Sequence, residues 1–190
     1  MSMKPAPASS PGPSHEPEFR GRVYDSIIET IGATPLVRLG RLAEDQGVKA
    51  EILAKCEFFN PLGSVKDRIG IAMVEATERQ GRIKAGTTLI EPTSGNTGLG
   101  LAMIGRIRDY KVKVVMPASV PPERVNLLEA FGAEVILSDA DKGTNESIVM
   151  AQHIAEENPS YYMPYQYGNE ANPRAHYTTT GPEIVRDMPD

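Results

Sequence analysis

The sequence predicts an α/β fold, a three-layer αβα arrangement built on a parallel sheet. Three observations carry this. Short apolar runs suited to buried strands (Thr88 to Glu91, Lys113 to Met116, Glu134 to Leu137) alternate with segments that repeat apolar residues at helical spacing. Gly and Pro stand at the junctions, as helix stops and starts require. The two segments richest in turn-forming polar residues each follow a strand and open a helix. Serial β-α-β units of this kind place helices on both faces of a parallel sheet.

Taken in order, Met1 to Arg20 holds Pro5, Pro7, Pro11, Pro13 and Pro17 and almost no large apolar residue. Such a segment buries too little surface to offset ordering, which predicts a disordered tail. A short helix begins within Val23 to Ile28. Thr34-Pro35 leads into a strand over Leu36 to Leu39, and Ala50 to Lys55 forms a second. Asn60-Pro61 and Gly63 then break the chain. The helix after Ser64 carries Ile69, Ala72, Met73 and Ala76 on one stripe, and Gly81 stops it. Three more helices follow: Thr97 to Arg108; Pro122 to Phe131, with Pro121-Pro122 at its start and Gly132 at its end; and Asn145 to Glu157. A last short strand is expected over Tyr161 to Pro164. No internal repeat is evident.

Composition narrows the function. The chain has 190 residues, 40% of them hydrophobic, which suffices for a real core, and a net charge of −5 with no basic block, which argues against a dedicated nucleic-acid binder. A single cysteine, Cys56, excludes an intramolecular disulfide and reads as a packed core thiol. No apolar run approaches a membrane span, and the N-terminus lacks the apolar core of a signal peptide, so a cytoplasmic home is expected. His15, His153 and His176 show no metal-ligand spacing, and His153 reads as a structural residue on a helix.

Two stretches carry the chemistry. In Asn60-Pro61-Leu62-Gly63-Ser64-Val65-Lys66-Asp67-Arg68, Ser64 and Asp67 form a capping pair, and Lys66 falls in the first helical turn. The positive end of the helix dipole disfavours an ammonium there, and a neutral amine is what Schiff-base chemistry needs. In Glu91-Pro92-Thr93-Ser94-Gly95-Asn96-Thr97-Gly98, free N–H groups and hydroxyls form a site for an anion such as a carboxylate. Taken alone, Lys66 also reads as a solvated lysine at a helix start, and the second run as a glycine-lined cap. A dinucleotide site is excluded because Gly95, Gly98 and Gly100 do not fit G-x-G-x-x-G, and no Gly-Lys-Ser/Thr marks a P-loop. Both stretches follow strands. Ligands in parallel sheets bind beyond the strands' carboxyl ends, so both are expected on one rim.

Together with Thr179-Thr180-Gly181-Pro182-Glu183-Ile184, these motifs resemble the cysteine synthase and cystathionine β-synthase family of fold type II pyridoxal-phosphate enzymes, the tryptophan synthase β-like fold. The resemblance runs from about Val23 to the C-terminus. It implies pyridoxal 5′-phosphate as cofactor, Lys66 as its attachment point and general base, and Asn96 as the ligand of its 3′-oxygen. It implies Thr93, Ser94, Gly95 and Thr97 as ligands of the substrate carboxylate, joined by Gln166 in Tyr165-Gln166-Tyr167-Gly168-Asn169. Glu170 stands where proline is more usual, and His176 matches the pattern.

The same resemblance divides the chain. Residues 1–20 are the tail, 21–52 the start of a larger cofactor domain, 53–168 a smaller mobile domain, and 169–190 the return to the larger one. Members are longer than this chain, and their glycine- and threonine-rich phosphate cup would follow Asp190, so the larger domain is expected to be largely missing. The implied reaction is β-replacement, forming L-cysteine from O-acetylserine or O-phosphoserine and sulfide or another sulfur donor. Gly143-Thr144-Asn145 and Tyr165 to Asn169 favour the cysteine synthase branch; cystathionine β-synthase is the alternative. A reading of another class is a catalytically silent fragment that only binds a partner. The resemblance also implies a homodimeric parent and a small-molecule amino-acid substrate, with neither nucleic acid nor membrane as partner.

Overall fold

The computed structural model describes residues 21–188, so the Met1 to Arg20 tail, with His15, lies outside the described residues. A 3-10 turn, Ile27–Thr30, precedes β1 (Leu36–Arg38), α1 (Gly40–Asp45) and β2 (Leu53–Lys55). Helix α2 (Lys66–Arg79) follows. The chain then alternates through β3 (Thr88–Pro92), α3 (Asn96–Arg108), β4 (Lys111–Pro117), α4 (Pro122–Ala130), β5 (Glu134–Ser138), α5 (Gly143–Glu157) and β6 (Tyr161–Tyr162). It closes with α6 (Ala171–Ala175), a π-helical turn at His176–Thr180, and α7 (Gly181–Asp187).

Strands β3 to β6 form one parallel sheet in the order β5-β4-β3-β6. Both of its faces are covered, so its central strands are buried along most of their length, with Glu91 in β3 and Lys111 and Lys113 in β4 interrupting the apolar run. Alternate residues still go to opposite sides. Leu89, Val112, Val114 and Met116 pack with α2, α3 and α4 in the larger core, which holds Ile69, Met73, Leu101 and Ile104. Ile90 and Val115 face the other way, onto Ala151 of α5. Each fully buried aliphatic side chain here contributes about 1.5–3 kcal/mol of transfer free energy. From β3 the sheet grows to one side through β4 and β5, and α5 then carries the chain back to β6 on the other side. Strand β3 is therefore the point where the strand order reverses, the position at which open parallel sheets bind ligands.

Two expectations need correction. Strands β1 and β2 do not join the parallel sheet. They pair antiparallel as a separate two-stranded unit, with Leu36 opposite Lys55 and Arg38 opposite Leu53. Their connection, which holds the six-residue α1, unforeseen in the sequence, turns the chain back so that the two strands pair with each other. Its stop is local, with Gly47 at φ +64° and Val48 N–H donating to the Ala43 carbonyl at 2.8 Å. The second correction concerns residues after Tyr162, which form two helices and a π-turn rather than a strand through Pro164.

Candidate active site

The approach to Lys66 is a tight turn. Gly63 sits at φ +69°, and its N–H donates to the Asn60 carbonyl at 2.8 Å. Ser64 Oγ accepts the Lys66 N–H at 3.1 Å. Asp67 does not close a reciprocal box with Ser64; its Oδ2 reaches back past it to accept the Leu62 N–H at 2.8 Å. Its Oδ1 is buried with no partner among the described residues, and burial pushes the Asp67 carboxyl up. Lys66 is half-buried, and its amine enters no salt bridge or hydrogen bond among the described residues.

Because β2 lies outside the parallel sheet, Lys66 does not reach the rim from a sheet strand. Helix packing brings it there. A side chain at Gly100 of α3 would meet the Lys66 carbonyl oxygen at 3.3 Å, and one at Gly70 of α2 would meet the Gly100 carbonyl carbon at 3.4 Å. The two helices cross where both lack side chains, and this sets Lys66 beside the first turn of α3.

The Thr93–Gly98 loop leaves β3 at the strand-order reversal. Gly95 stands at the N-cap of α3 without a side-chain cap, so the N–H groups of the first turn stay open for an anion. Asn96 is exposed, Ser94 and Gly95 are half-buried, and Thr93 and Thr97 are buried. Thr93 Oγ1 accepts the Gly95 N–H at 3.3 Å. The Thr97 hydroxyl donates to Gln166 Oε1 at 2.7 Å. Two predicted residues 69 positions apart thus meet directly. The Thr97 proton is committed, which leaves the Gln166 NH₂ as the free donor of the pair.

The sequence reading assigned no role to two features. The first is Glu91, fully buried near the end of β3, whose carboxylate accepts the Tyr165 N–H at 2.7 Å and the Gln166 N–H at 2.9 Å. Burial pushes it up to about 7 against those two bonds. Its signal was an acid inside an apolar strand. The second is the buried Arg68 guanidinium. It donates to Glu57 at 2.8 and 2.9 Å, to both oxygens of Glu183 at 2.7 Å, and to the Thr34 and Thr179 hydroxyls. Lys55 also pairs with Glu183, at 2.8 Å. Burial raises the Glu183 carboxyl, but Arg68, Lys55 and the Ala33 N–H outweigh it and hold it at about 2. This network ties α7 and the N-terminal segment to α2 directly behind Lys66.

His176, in the π-turn, pairs through Nδ1 with the Thr180 hydroxyl at 3.0 Å. Burial, with the nearby charges of Lys66 and Arg68, holds its imidazole below the usual range. His153 is exposed on α5 and faces Glu157 at 3.4 Å. Cys56 is buried, its thiol directed at the Ala54 carbonyl. Among the described residues no cluster of His, Cys, Asp and Glu could hold a metal, and no helix is long and apolar enough to cross a membrane. A cavity of about 600 Å³ lies away from this rim, between the Ile27–Thr30 turn, α2 and α6.

The donor set fits pyridoxal phosphate on the side present here. Lys66, half-buried and with its amine unpaired among the described residues, has its main chain against α3 at Gly100, one turn from the exposed Asn96 and the uncapped helix N-terminus.

Comparison with known proteins gives the family and the fold. Residues 27–190 match the family described as pyridoxal-phosphate dependent enzyme. The chain is 48% identical over 165 residues to the "Probable cysteine synthase" of Bacillus subtilis (strain 168), covering 87% of this chain and 52% of that one. It is 45% identical over 164 residues to the "Cysteine synthase" of Staphylococcus aureus (strain Mu50 / ATCC 700699), covering 86% and 52%. Among solved structures, O-acetyl serine sulfhydrylase isoform 3 from Entamoeba histolytica superposes with a TM-score of 0.82 at 41% identity, over 89% of this chain and 51% of that one. The chain spans about half the length of the curated relatives it matches.

Proposed function

This chain belongs to the pyridoxal-phosphate dependent enzyme family, and from that premise we propose that it supplies the lysine-bearing part of a cysteine synthase. The overall reaction is β-replacement. The bond from Cβ to the acetate or phosphate oxygen of an activated serine breaks, a bond from Cβ to sulfur forms, and L-cysteine leaves with the carboxylate or phosphate by-product. The relatives' names favour this over cystathionine formation. Residues 53–168 form the smaller, mobile domain, with 21–52 and 169–190 belonging to the larger one. The parent is a cytoplasmic homodimer.

Pyridoxal phosphate, when bound, draws electrons from Cα of the amino acid it carries and makes the Cα proton removable. In this chain Lys66 would hold the cofactor and, once released, take that proton on Nζ. The Asn96 amide would donate to the 3′-oxygen. Ser94, the Gly95 and Asn96 N–H groups and the Gln166 NH₂ would hold the substrate carboxylate, with the α3 dipole favouring its charge. Thr97 fixes Gln166, and Thr93 shapes the loop. The close crossing of α2 and α3 at Gly100, which puts Lys66 beside the open α3 terminus, is the observation that supports this reading most.

Borohydride reduction of the chain in the presence of pyridoxal phosphate, followed by peptide mapping, tests it. The label is expected on Lys66 and absent after Lys66→Ala. A label spread over surface lysines, or one unchanged by Lys66→Ala, refutes the assignment.

A further inference from the structure

We infer that Glu91 is a positioning residue for the carboxylate-binding face, holding the Tyr165–Gln166 backbone so that the Gln166 side chain meets Thr97; the inference rests on reading that face as the substrate-carboxylate site. Three bonds close a ring. Glu91 Oε2 accepts from Tyr165 N–H, Glu91 Oε1 accepts from Gln166 N–H, and Gln166 Oε1 accepts from the Thr97 hydroxyl. The chain itself closes the other side, since Glu91 runs through Pro92 directly into Thr93–Gly98. One buried carboxylate thus links both segments that would grip the substrate.

The turn needs such an anchor. Tyr165 sits at φ +55°, in the left-handed region that a bulky residue avoids unless its surroundings hold it there. Asn169 Nδ2 donates to the Pro164 carbonyl and Asn172 Nδ2 to the Gln166 carbonyl, satisfying acceptors on the far side of the turn. The two N–H groups are left to Glu91. No other demand accounts for an acid there. Strand β4 sets Val114 opposite it, and no Lys or Arg forms an ion pair with it among the described residues. The titratable group that senses it is the Tyr167 phenol, raised by its own burial, then by Glu91 and Tyr165. An isosteric apolar residue would fill the space without the cost of burying a charge. Both N–H groups are best satisfied by the ionised acid, so the anchor strengthens as pH rises through about 7.

The experiment uses ¹⁵N NMR of the full 190-residue chain, with L-serine as the carboxylate probe. In the unaltered chain the Tyr165 and Gln166 amide shifts follow one titration near pH 7. In Glu91→Gln the titration vanishes, because an amide does not ionise, and the amide accepts only one N–H while turning its own NH₂ toward the other. Hydrogen-exchange protection at Tyr165 and Gln166 falls about ten- to hundredfold. L-serine binding, read at the Gly95 and Thr97 amides, weakens similarly, while α2 protection is kept. Glu91→Asp, charged but one methylene short, recovers part of the titration. Thr97→Val cuts the ring further on and weakens L-serine binding with Tyr165 and Gln166 protection intact.

Absence of the titration from the unaltered chain overturns the inference even if Glu91→Gln fails to fold. Unchanged protection or unchanged L-serine binding in a folded Glu91→Gln also overturns it. If Thr97→Val weakens L-serine binding and Glu91→Gln does not, only the positioning role falls. If neither variant affects it, the carboxylate-site reading itself is refuted.

Discussion

Replacing Arg68 by Met is expected to destabilise the chain by about 3–5 kcal/mol, the cost of removing one partner from a buried ion pair. The side chain is 3% exposed and bonded to two carboxylates at 2.7–2.9 Å. Its loss leaves Glu57 without a cation, held only by the Thr34 hydroxyl and the Asn60 amide, and leaves Glu183 with Lys55 and the Ala33 N–H. The acid limb of the stability profile gives a second measure. Glu183 is held at about 2 against an ordinary 4.5. A folded-state pKa below the unfolded one contributes stability that is present above pH 4.5 and lost as pH falls toward 2. That contribution is on the order of 3 kcal/mol at neutral pH. Glu57, pushed up by burial but lowered further by Arg68, Thr34 and Asn60, acts in the same direction. Urea unfolding followed by circular dichroism from pH 7 to pH 3 should therefore show a large neutral-pH deficit in Arg68→Met and a shallower acid limb. Arg68→Lys should fall between, because an ammonium cannot fork to two carboxylates. A neutral-pH loss below about 1 kcal/mol, or an acid limb as steep as in the unaltered chain, would show that the network is a solvent-screened surface cluster.

Gly100→Ala should cost about 1–3 kcal/mol in urea unfolding and lower borohydride labelling of Lys66, since the new methyl meets a main-chain oxygen at 3.3 Å. Gly95→Ala meets open space. It should keep its stability within about 0.5 kcal/mol, and any loss of L-serine binding would then locate the ligand at this turn; a destabilised Gly95→Ala would contradict the geometry. Ser147→Ala should cost about 1–2 kcal/mol by stranding the buried Ser138 hydroxyl, 2.7 Å away; unchanged urea unfolding would refute that pairing.

The sequence by itself determined the alternation of strands and helices from Thr88 to Tyr162 and the two turns that open α2 and α3. These are local signals: apolar period, Gly and Pro punctuation, and motifs read within ten residues. Their bounds in the structure fall within one or two residues of those expected, because strong periodicity and caps act on neighbours. Tertiary structure decided the rest. That β1 and β2 pair antiparallel with each other, apart from the parallel sheet, is decided by pairing between segments some fifteen residues apart (Arg38 opposite Leu53), which no local period encodes. The approach of Lys66 to α3 depends on two glycines, Gly70 and Gly100, meeting across a helix crossing. Gln166 reaches Thr97 over 69 positions, Glu91 reaches Gln166 over 75, and Arg68 reaches Glu183 over 115. No local pattern encodes such pairs. A buried acid in a strand or a buried arginine in a helix signals that a partner exists, but only the packed chain, by excluding water from both groups at once, selects which.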